Sequence, residues 1–377
     1  MTQPAKSAAK KAAVKKSTTK IGTEKVLALR IANAPRLSSA KDAKGRLAGW
    51  LQEISRSTPG KSLKALIGNS TKLAALLCGL ADGSPFLWDL AVAEPARLLG
   101  ILQSDPDKRF AQLLLETARA VEATRDEAEA MRLLRRMKSE AALLIAIADI
   151  GGAWPVIRTT RALTELADAA VQLALRFLLR DAARRGRLKP PNPKAPEEGS
   201  GHIVLAMGKM GAYELNYSSD IDLIVFYDPE APGLADKDEA AAFHVRITRG
   251  LVKLLQERTG DGYVFRVDLR LRPDPASTQA AVSVETALNY YGSIGQNWER
   301  AAMIKARVCA GDFKAGAAIL KELQPFIWRK YLDFAAIADV QSLKRQIHAV
   351  KGHGAIAVHG HNIKLGRGGI REIEFFV

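Results

Sequence analysis

Three acidic residues stand where strand-like segments can bring them together. Asp220 and Asp222 open one apolar run, and Asp268 lies in a later run, residues 263–271. Residues at i and i+2 of a strand point to one face, so Asp220 and Asp222 can share metal ions while Ile221 packs into the core. Divalent Mg²⁺ prefers oxygen ligands, and two such ions can neutralise the entering and leaving oxygens at phosphorus. The spacing therefore predicts a site for nucleotidyl transfer with two Mg²⁺ ions, or Mn²⁺ in their place.

Glycines and cationic side chains surround these acids in the sequence. Gly208 and Gly211 allow backbone amides to approach phosphate groups at the start of a short helix, where the helix dipole also favours anions. Arg270 and Arg272 continue the Asp268 segment, where they can either orient phosphate through bidentate contacts or form surface ion pairs. The candidate nucleotide-binding and phosphate-binding residues are Gly208, Lys209, Gly211, Ser219, Arg270, Arg272 and Lys305.

Two later segments add further candidates. Residues 298–307 are predicted to form one helix, with Trp298 in the core and Lys305 or Arg307 reaching the nucleotide. A glycine-rich turn follows near the end of the sequence. Its cations predict either an anion or interdomain contact site or a hinge, and they are Lys364, Arg367 and Arg371. The nearby histidines, His359 and His361, are predicted to be exposed loop residues because no further metal-type ligands accompany them.

Composition indicates a cytoplasmic protein without membrane or secretory segments. The chain has 377 residues, of which 47% are hydrophobic, enough for two or three domains with a sizeable core. Its longest apolar stretch, residues 141–148, is too short for a bilayer, and no secretory signal opens the chain. Cys78 and Cys309 have neither metal-site nor disulfide spacing and are predicted to be buried thiols.

The distribution of charge and the periodicity of apolar residues predict how the chain is divided into domains. The formal charge is +16, and residues 1–20 contribute six lysines without an acid. A basic surface favours polyanions without choosing among them. Apolar residues at helical spacing, prolines in 186–200 and a change to strand periodicity predict an α+β, mostly helical fold. The predicted parts are a disordered basic tail (1–23), a helical domain (24–185), a linker (186–200), a catalytic core (201–283) and a C-terminal helical region (284–377).

The core strands are predicted at residues 202–207, 220–227 and 263–271, with a helical turn at 211–215 and a long amphipathic helix at 236–258. Ser84-Pro85 and Asp105-Pro106 are predicted helix starts. The apolar ending without a cap predicts that the polypeptide is the front part of a longer protein.

The run from Gly208 to Leu223, GKMGAYELNYSSDIDL, resembles the signature of the glutamine synthetase adenylyltransferase family. Members of that family add AMP to a tyrosine of glutamine synthetase and remove it. Four further stretches carry the same resemblance: LTELAD (163–168), DLRLRPD (268–274), WERAAMIKAR (298–307) and IKLGRGGIREIEF (363–375). The sequence departs from the pattern at Asp274-Pro275, where many relatives are expected to have glycine.

The resemblance implies a polymerase-β-like nucleotidyltransferase domain flanked by helical segments, in which Asp220 and Asp222 bridge two metals and Asp268 completes one site. Family members carry two such domains, and this chain resembles the first, to which removal of AMP is assigned. In that reaction phosphate attacks the adenylyl-tyrosine and releases ADP. The implied partners are glutamine synthetase, the nucleotide (ATP or ADP) and phosphate. A nitrogen-status signal protein is a further family partner that a single-domain chain need not share.

Three alternatives stay open at this point. The chain could add AMP from ATP instead of removing it, because one site serves both directions. It could be a superfamily relative acting on RNA ends, although 6% aromatic content argues against a base-stacking groove and makes nucleic acid an unfavoured partner. It could also be an inactive fragment that binds glutamine synthetase without turning it over.

Overall fold

The computed structural model describes residues 25–328, 338, 341–342, 345, 359–364, 366–370 and 372–373. The predicted basic tail and Arg371 lie outside the described residues. The first half of the described chain is helical. Its helices are α1 (Leu27–Arg30), α2 (Ala40–Glu53), α3 (Thr58–Gly68), α4 (Thr71–Gly83), α5 (Pro85–Ala93), α6 (Pro95–Leu102), α7 (Pro106–Ala123), α8 (Glu127–Ile150) and α9 (Val156–Arg184), with a 3-10 turn at Ile54–Arg56.

Two of the helix starts follow directly from local sequence. The Ser84 hydroxyl accepts the Leu87 N–H at the start of α5, and the Asp105 carboxylate accepts the N–H groups of Asp107 and Lys108 at the start of α7. Both caps are followed by proline in the first turn, where its missing N–H costs no helical hydrogen bond. These two predicted helix starts are confirmed.

The second half forms a small mixed sheet with helices around it. Its elements are β1 (His202–Ala206), α10 (Gly208–Gly211), β2 (Ile221–Tyr227), α11 (Ala240–Gln256), β3 (Val267–Asp268), β4 (Val282–Ser283), α12 (Val284–Ser293), α13 (Asn297–Met303), β5 (Arg307–Gly311), α14 (Phe313–Glu322) and α15 (Gln324–Ile327). The strand order is β3-β2-β1-β5, with β4 also pairing with β2. β1 runs antiparallel to β2 and β5, whereas β3 and β4 run parallel to β2. The α+β, mostly helical fold class is confirmed.

Three predicted elements were wrong in extent or type. The strand predicted over 263–271 is reduced to β3, because the chain turns immediately after Asp268. The helical turn predicted at 211–215 lies instead at α10. Residues 307–311, predicted as part of a helix, form β5, and their pairing partner β1 lies about a hundred residues earlier in the sequence.

Alternating side chains give the sheet two buried faces. Val204 and Ala206 of β1 pack into the core shared with the helical half, while Ile203 and Leu205 pack against α12 to α15. The sheet is therefore covered on both sides, and β1 is buried along its whole length. Because one continuous core joins the helical half to the sheet, α8 and α9 form part of a helical platform beneath β1 and β2.

Arg135 of α8 ties this platform to the segment that leads into β3. Its side chain is 1% exposed and donates to the carbonyls of Gly262 (2.9 Å), Leu254 (3.1 Å) and Glu257. A guanidinium can reach several carbonyls at once because its donors form a rigid fork.

We expect Arg135→Lys to lower the free energy of unfolding by about 2 to 3 kcal/mol, since one ammonium cannot satisfy the same buried carbonyls. Urea denaturation measures this change. Arg136→Lys, at the adjacent and 55% exposed arginine, is the matched control and should change stability little. Equal effects of the two substitutions would contradict a structural role for the Arg135 hydrogen bonds.

Among the residues that the structure describes, no single helix has both the length and the apolar character needed to cross a membrane. Helices α3 and α4 meet these criteria only as a pair, bent by 113°, on length and composition alone.

Candidate active site

The parallel pairing of β2 and β3 places two of the three acids side by side. In this register Asp222 lies opposite Asp268 and Ile221 lies opposite Val267. The Ile221 N–H bonds to the carbonyl of Arg266 (2.9 Å), and the carbonyl of Asp222 accepts the Met207 N–H (2.9 Å). Asp220 comes directly before β2. The sheet thus fixes the backbone of all three predicted acids within one short edge.

The charges of the neighbouring acids raise the pKa of Asp222. Burial, then the charges of Asp268 and Asp220, raise the pKa of the Asp222 carboxyl to about 6, while Lys364 and Arg270 oppose the shift. The pKa of Asp268 is lowered, chiefly by its hydrogen bond from Arg270. A partly buried carboxylate next to like charges is destabilised until cations arrive, which is the state expected of a metal-binding acid.

Asp220 and Asp268 are each paired with an arginine. Arg266 bonds to Asp220 through Nε and to the Ser218 carbonyl through Nη2 (2.7 Å). Arg270 bonds to both Asp268 oxygens through Nε (3.0 and 2.9 Å). Within the described part of the chain, no three His, Cys, Asp or Glu side chains are gathered as a ready metal site. The two arginines therefore bind the Asp220 and Asp268 carboxylates, which a bound metal ion would bring closer together.

The donor set nevertheless fits hard divalent cations. The three candidate ligands are all carboxylates, which suit Mg²⁺ or Mn²⁺. Asp268 is 15% exposed and Asp220 is 47% exposed, so one side of the group is open to solvent and to ligands. The side chains of Arg266 and Arg270 now bond to two of these carboxylates, and Asp268 also accepts the Arg270 backbone N–H (2.8 Å).

Two glycines bring the α10 turn close to the acids. Gly208 has φ of +52°, and a Cβ there would lie 3.0 Å from Oδ2 of Asp222. A Cβ on Gly211 would lie 2.0 Å from the Lys305 carbonyl oxygen, a backbone atom that cannot move aside easily. Gly211 therefore requires glycine, the positive φ of Gly208 favours it, and the Gly208 backbone lies next to the Asp222 carboxylate. Lys209 is exposed and Ser219 is half-buried on the same segment.

Three side chains that were predicted to contact phosphate or the nucleotide contact other protein groups in the structure. Arg272 donates to the carbonyls of Leu269 (2.9 Å), Pro275 (2.9 Å) and Thr278 (3.1 Å), so it organises its own loop. Lys305 lies beyond the end of α13, with its ammonium 3.8 Å from Glu214. Arg307 lies in β5, so residues 298–307 are not one helix. That segment's Trp298 is 39% exposed, and its predicted core position was wrong.

The glycine-rich turn near residue 366 contributes one charge to the site. The charge of Lys364 acts to lower the pKa of Asp222, against the effect of burial. Arg367 is exposed and its carbonyl lies 3.1 Å from Nε2 of His361. His359 is exposed, as predicted, whereas His361 is half-buried.

Sequence reasoning assigned no role to Arg266 at the site. A signal was available, because Arg266 lies two residues before Asp268 and its positive charge is opposite to that of the acids.

The departure from the family pattern at Asp274 has a local explanation. Asp274 has φ of +39°, a backbone region that favours glycine and that aspartate also tolerates.

A comparison with protein families matches residues 74–322 to the sequence model of glutamate-ammonia ligase adenylyltransferase. The matched range covers both the helical platform and all three acids. The chain belongs to this family. Residues 340–377 match a second family model, GlnD PII-uridylyltransferase. The predicted resemblance to glutamine synthetase adenylyltransferases, whose substrate is also called glutamate-ammonia ligase, is confirmed.

Curated members of the adenylyltransferase family are similar over most of this chain. The chain is 58% identical over 350 residues to the bifunctional glutamine synthetase adenylyltransferase/adenylyl-removing enzyme of Bradyrhizobium diazoefficiens. It is 57% identical to the same enzyme of Rhodopseudomonas palustris over 350 residues, and 56% identical to that of Xanthobacter autotrophicus over 351 residues. Each alignment covers 93% of this chain and 35% of the relative, so the chain spans about a third of their length.

Proposed function

We propose that this chain removes AMP from an adenylylated tyrosine of glutamine synthetase by phosphorolysis, and that Asp220, Asp222 and Asp268 form its active site. The observation that carries the proposal is the side-by-side placement of Asp222 and Asp268, with the α10 turn directly over Asp222, in a member of this family. The names of the relatives include both adenylyl transfer and adenylyl removal, and the family resemblance assigns removal to the first of two domains.

Two Mg²⁺ ions, or Mn²⁺, would be held by the three carboxylates, and when bound they neutralise charge on the oxygens around phosphorus. The chain's own groups do the positioning. Gly208 lies beside the Asp222 carboxylate, so N–H groups at the start of the α10 turn would bind the transferred phosphate there, and Lys209 supplies a cation at the same turn. The exposed side of the acid group leaves room for a protein-bound tyrosine to approach.

The proposed reaction requires neither an oxidant nor a reductant. An oxygen of inorganic phosphate attacks the AMP phosphorus, a new P–O bond forms, and the bond from phosphorus to the tyrosine oxygen breaks. The electron pair leaves with the phenolate, which takes a proton from solvent, and the products are ADP and unmodified tyrosine. Since the pKa of a phenol is about 10, this leaving group needs less acid assistance than an alkoxide.

The cations at the site suit inorganic phosphate as the attacking group. Arg266 and Arg270 are paired with Asp220 and Asp268, and metals binding to these carboxylates would release both guanidinium groups. Each released fork matches two phosphate oxygens. Lys364 adds a third positive charge within reach of Asp222.

The test is incubation of the purified chain with adenylylated glutamine synthetase, Mg²⁺ and phosphate, followed by measurement of ADP. Release of ADP that depends on phosphate supports phosphorolysis. Transfer of AMP from ATP to unmodified glutamine synthetase, without ADP release from the modified enzyme, would reverse the assigned direction. If neither reaction occurs while the chain still binds glutamine synthetase, the inactive-fragment alternative is favoured.

A further inference from the structure

Helix α9 carries a row of polar side chains that contact the half of the chain containing the sheet. Thr164, Asp168 and Gln172 recur every four residues and so share one face of the helix. Thr164 Oγ1 accepts the Leu215 N–H (3.2 Å), Asp168 accepts a hydrogen bond from Arg307 (2.8 Å), and Gln172 donates to the Cys309 carbonyl (2.8 Å). The motif LTELAD (163–168) contributed to the family resemblance but had no predicted role. Its residues Thr164 and Asp168 make two of these three contacts.

Arg307 connects this line to the α10 turn. Its Nη2 donates to the Met210 carbonyl (3.0 Å), and its Nε donates to the Gly211 carbonyl (3.2 Å). Its guanidinium also stacks on the ring of Tyr213 at 4.0 Å, and Tyr213 has φ of +60°. The Met210 carbonyl also accepts the Tyr213 N–H (3.3 Å), so Arg307 adds a second bond there and, with its bond to Gly211, fixes the end of the turn.

The pair between Asp168 and Arg307 is partly buried, with side chains 14% and 20% exposed. Burial raises the pKa of Asp168, and the bond from Arg307 opposes the shift. Such a pair contributes little net stability compared with apolar packing, because desolvation offsets the attraction. Its specific contribution is geometric, since one guanidinium binds a carboxylate of α9 and two carbonyls of α10.

We infer that Asp168 and Arg307 are positioning residues that hold the α10 turn over Asp222, and that the helical half is thereby part of the active site. The route runs from α9 through Arg307 to the Met210 and Gly211 carbonyls, and along the turn to Gly208 beside the Asp222 carboxylate. The inference rests on the proposed function in one respect: the group held at the turn is a nucleotide phosphate.

The test compares Arg307→Lys with Arg176→Lys in the complete chain. Lysine at 307 keeps the charge opposite Asp168 but cannot also reach two carbonyls. Arg176 is the matched control, because it is likewise an arginine paired with a partly buried acid, Glu197, but it lies on α9 and makes that pair away from the turn. The first measurement is amide hydrogen exchange over residues 208–215. We expect roughly tenfold faster exchange in Arg307→Lys and no change there in the control.

The second measurement separates positioning from a merely structural role. A misplaced catalytic group costs up to about 100-fold in rate, so kcat for ADP release should fall by about 10- to 100-fold in Arg307→Lys. Asp168→Asn should produce a similar loss, and the double variant should lose less than the product of the two single effects. Unfolding midpoints should differ little between Arg307→Lys and the control.

Unchanged exchange over residues 208–215 would overturn the inference, as would faster exchange with kinetics equal to those of the control. If the wild-type chain shows neither ADP release nor AMP transfer, the proposed function fails separately. In that case calorimetric titration with ADP and Mg²⁺ decides the inference. About tenfold weaker binding in Arg307→Lys alone would support it, and equal binding, or no binding to any form, would overturn it.

Discussion

Asp222→Asn should reduce ADP release from adenylylated glutamine synthetase by about 1000-fold while making the metal-free protein more stable. Metal stabilisation of transition-state charge is worth several kcal/mol, and each 1.36 kcal/mol is a factor of ten in rate. Asparagine keeps the size of the side chain but removes the charge that we propose attracts both cations. Steady-state assays at saturating phosphate measure the loss.

The increase in stability has a separate physical cause. Asp222 is ionised at pH 7 although burial and its neighbours Asp268 and Asp220 raise its pKa to about 6. A carboxyl whose pKa is higher in the folded state than in the unfolded state destabilises the fold when ionised. After allowance for solvent screening, relief of this cost should add about 1 to 2 kcal/mol to the free energy of unfolding.

Asp228→Asn is the matched control, because Asp228 follows the opposite end of β2 and its carboxylate accepts the Glu230 N–H (2.9 Å). That variant should keep nearly full activity. Retained activity in Asp222→Asn would remove Asp222 from the proposed active site. If Asp222→Asn loses both activity and stability, the substitution disturbs the fold. The loss of activity would then not support a catalytic role for Asp222.

Local sequence was sufficient for some elements because their determinants are local. The caps at Ser84 and Asp105 lie within three residues of the amides they bind. The alternation in β1 is a period of two that any window of five residues reveals. The positions of Asp220 and Asp222 followed from the same rule, and the register of β2 with β3 places Asp268 beside Asp222.

The remaining features depend on contacts that are distant in sequence. β5 exists because it pairs with β1, and its five residues carry no pattern that separates them from a helix end. β3 stops at Asp268 because the Asp268 carboxylate accepts the Arg270 N–H (2.8 Å) and starts a turn. The roles of Thr164 and Asp168 were hidden for the same reason, although polar residues recurring among the buried apolar positions of α9 were a usable signal.

Acidification should destabilise the chain through a buried pair of histidines between β1 and α11. His202 and His244 are buried, and their Nδ1 atoms lie 2.9 Å apart. Burial lowers the pKa of His202 to about 3, and burial together with His202 lowers that of His244 to about 2. Tyr227 stacks on His244 at 4.7 Å and encloses the pair. Both rings are therefore neutral in the folded protein.

The pKa of each histidine is lower in the folded state than in the unfolded state, so stability is complete above the unfolded value of 6.5 and is lost as pH falls below it. At pH 5 the unfolded chain binds both protons and the folded chain binds neither. With 1.36 kcal/mol per pKa unit, each histidine should cost about 2 kcal/mol, or about 4 kcal/mol together. Urea denaturation at pH 7, 6 and 5 measures the slope.

Two variants isolate this contribution from that of the carboxyl groups. His244→Leu removes one titrating ring, so the slope of stability against pH should decrease by about 1.4 kcal/mol per pH unit relative to wild type. His359→Gln, at an exposed histidine, should leave the slope unchanged. Comparison of slopes cancels the effects of other titrating groups and of any loss of packing at pH 7. An unchanged slope in His244→Leu would mean that the folded protein opens to protonate the pair, and that these histidines do not set its acid sensitivity.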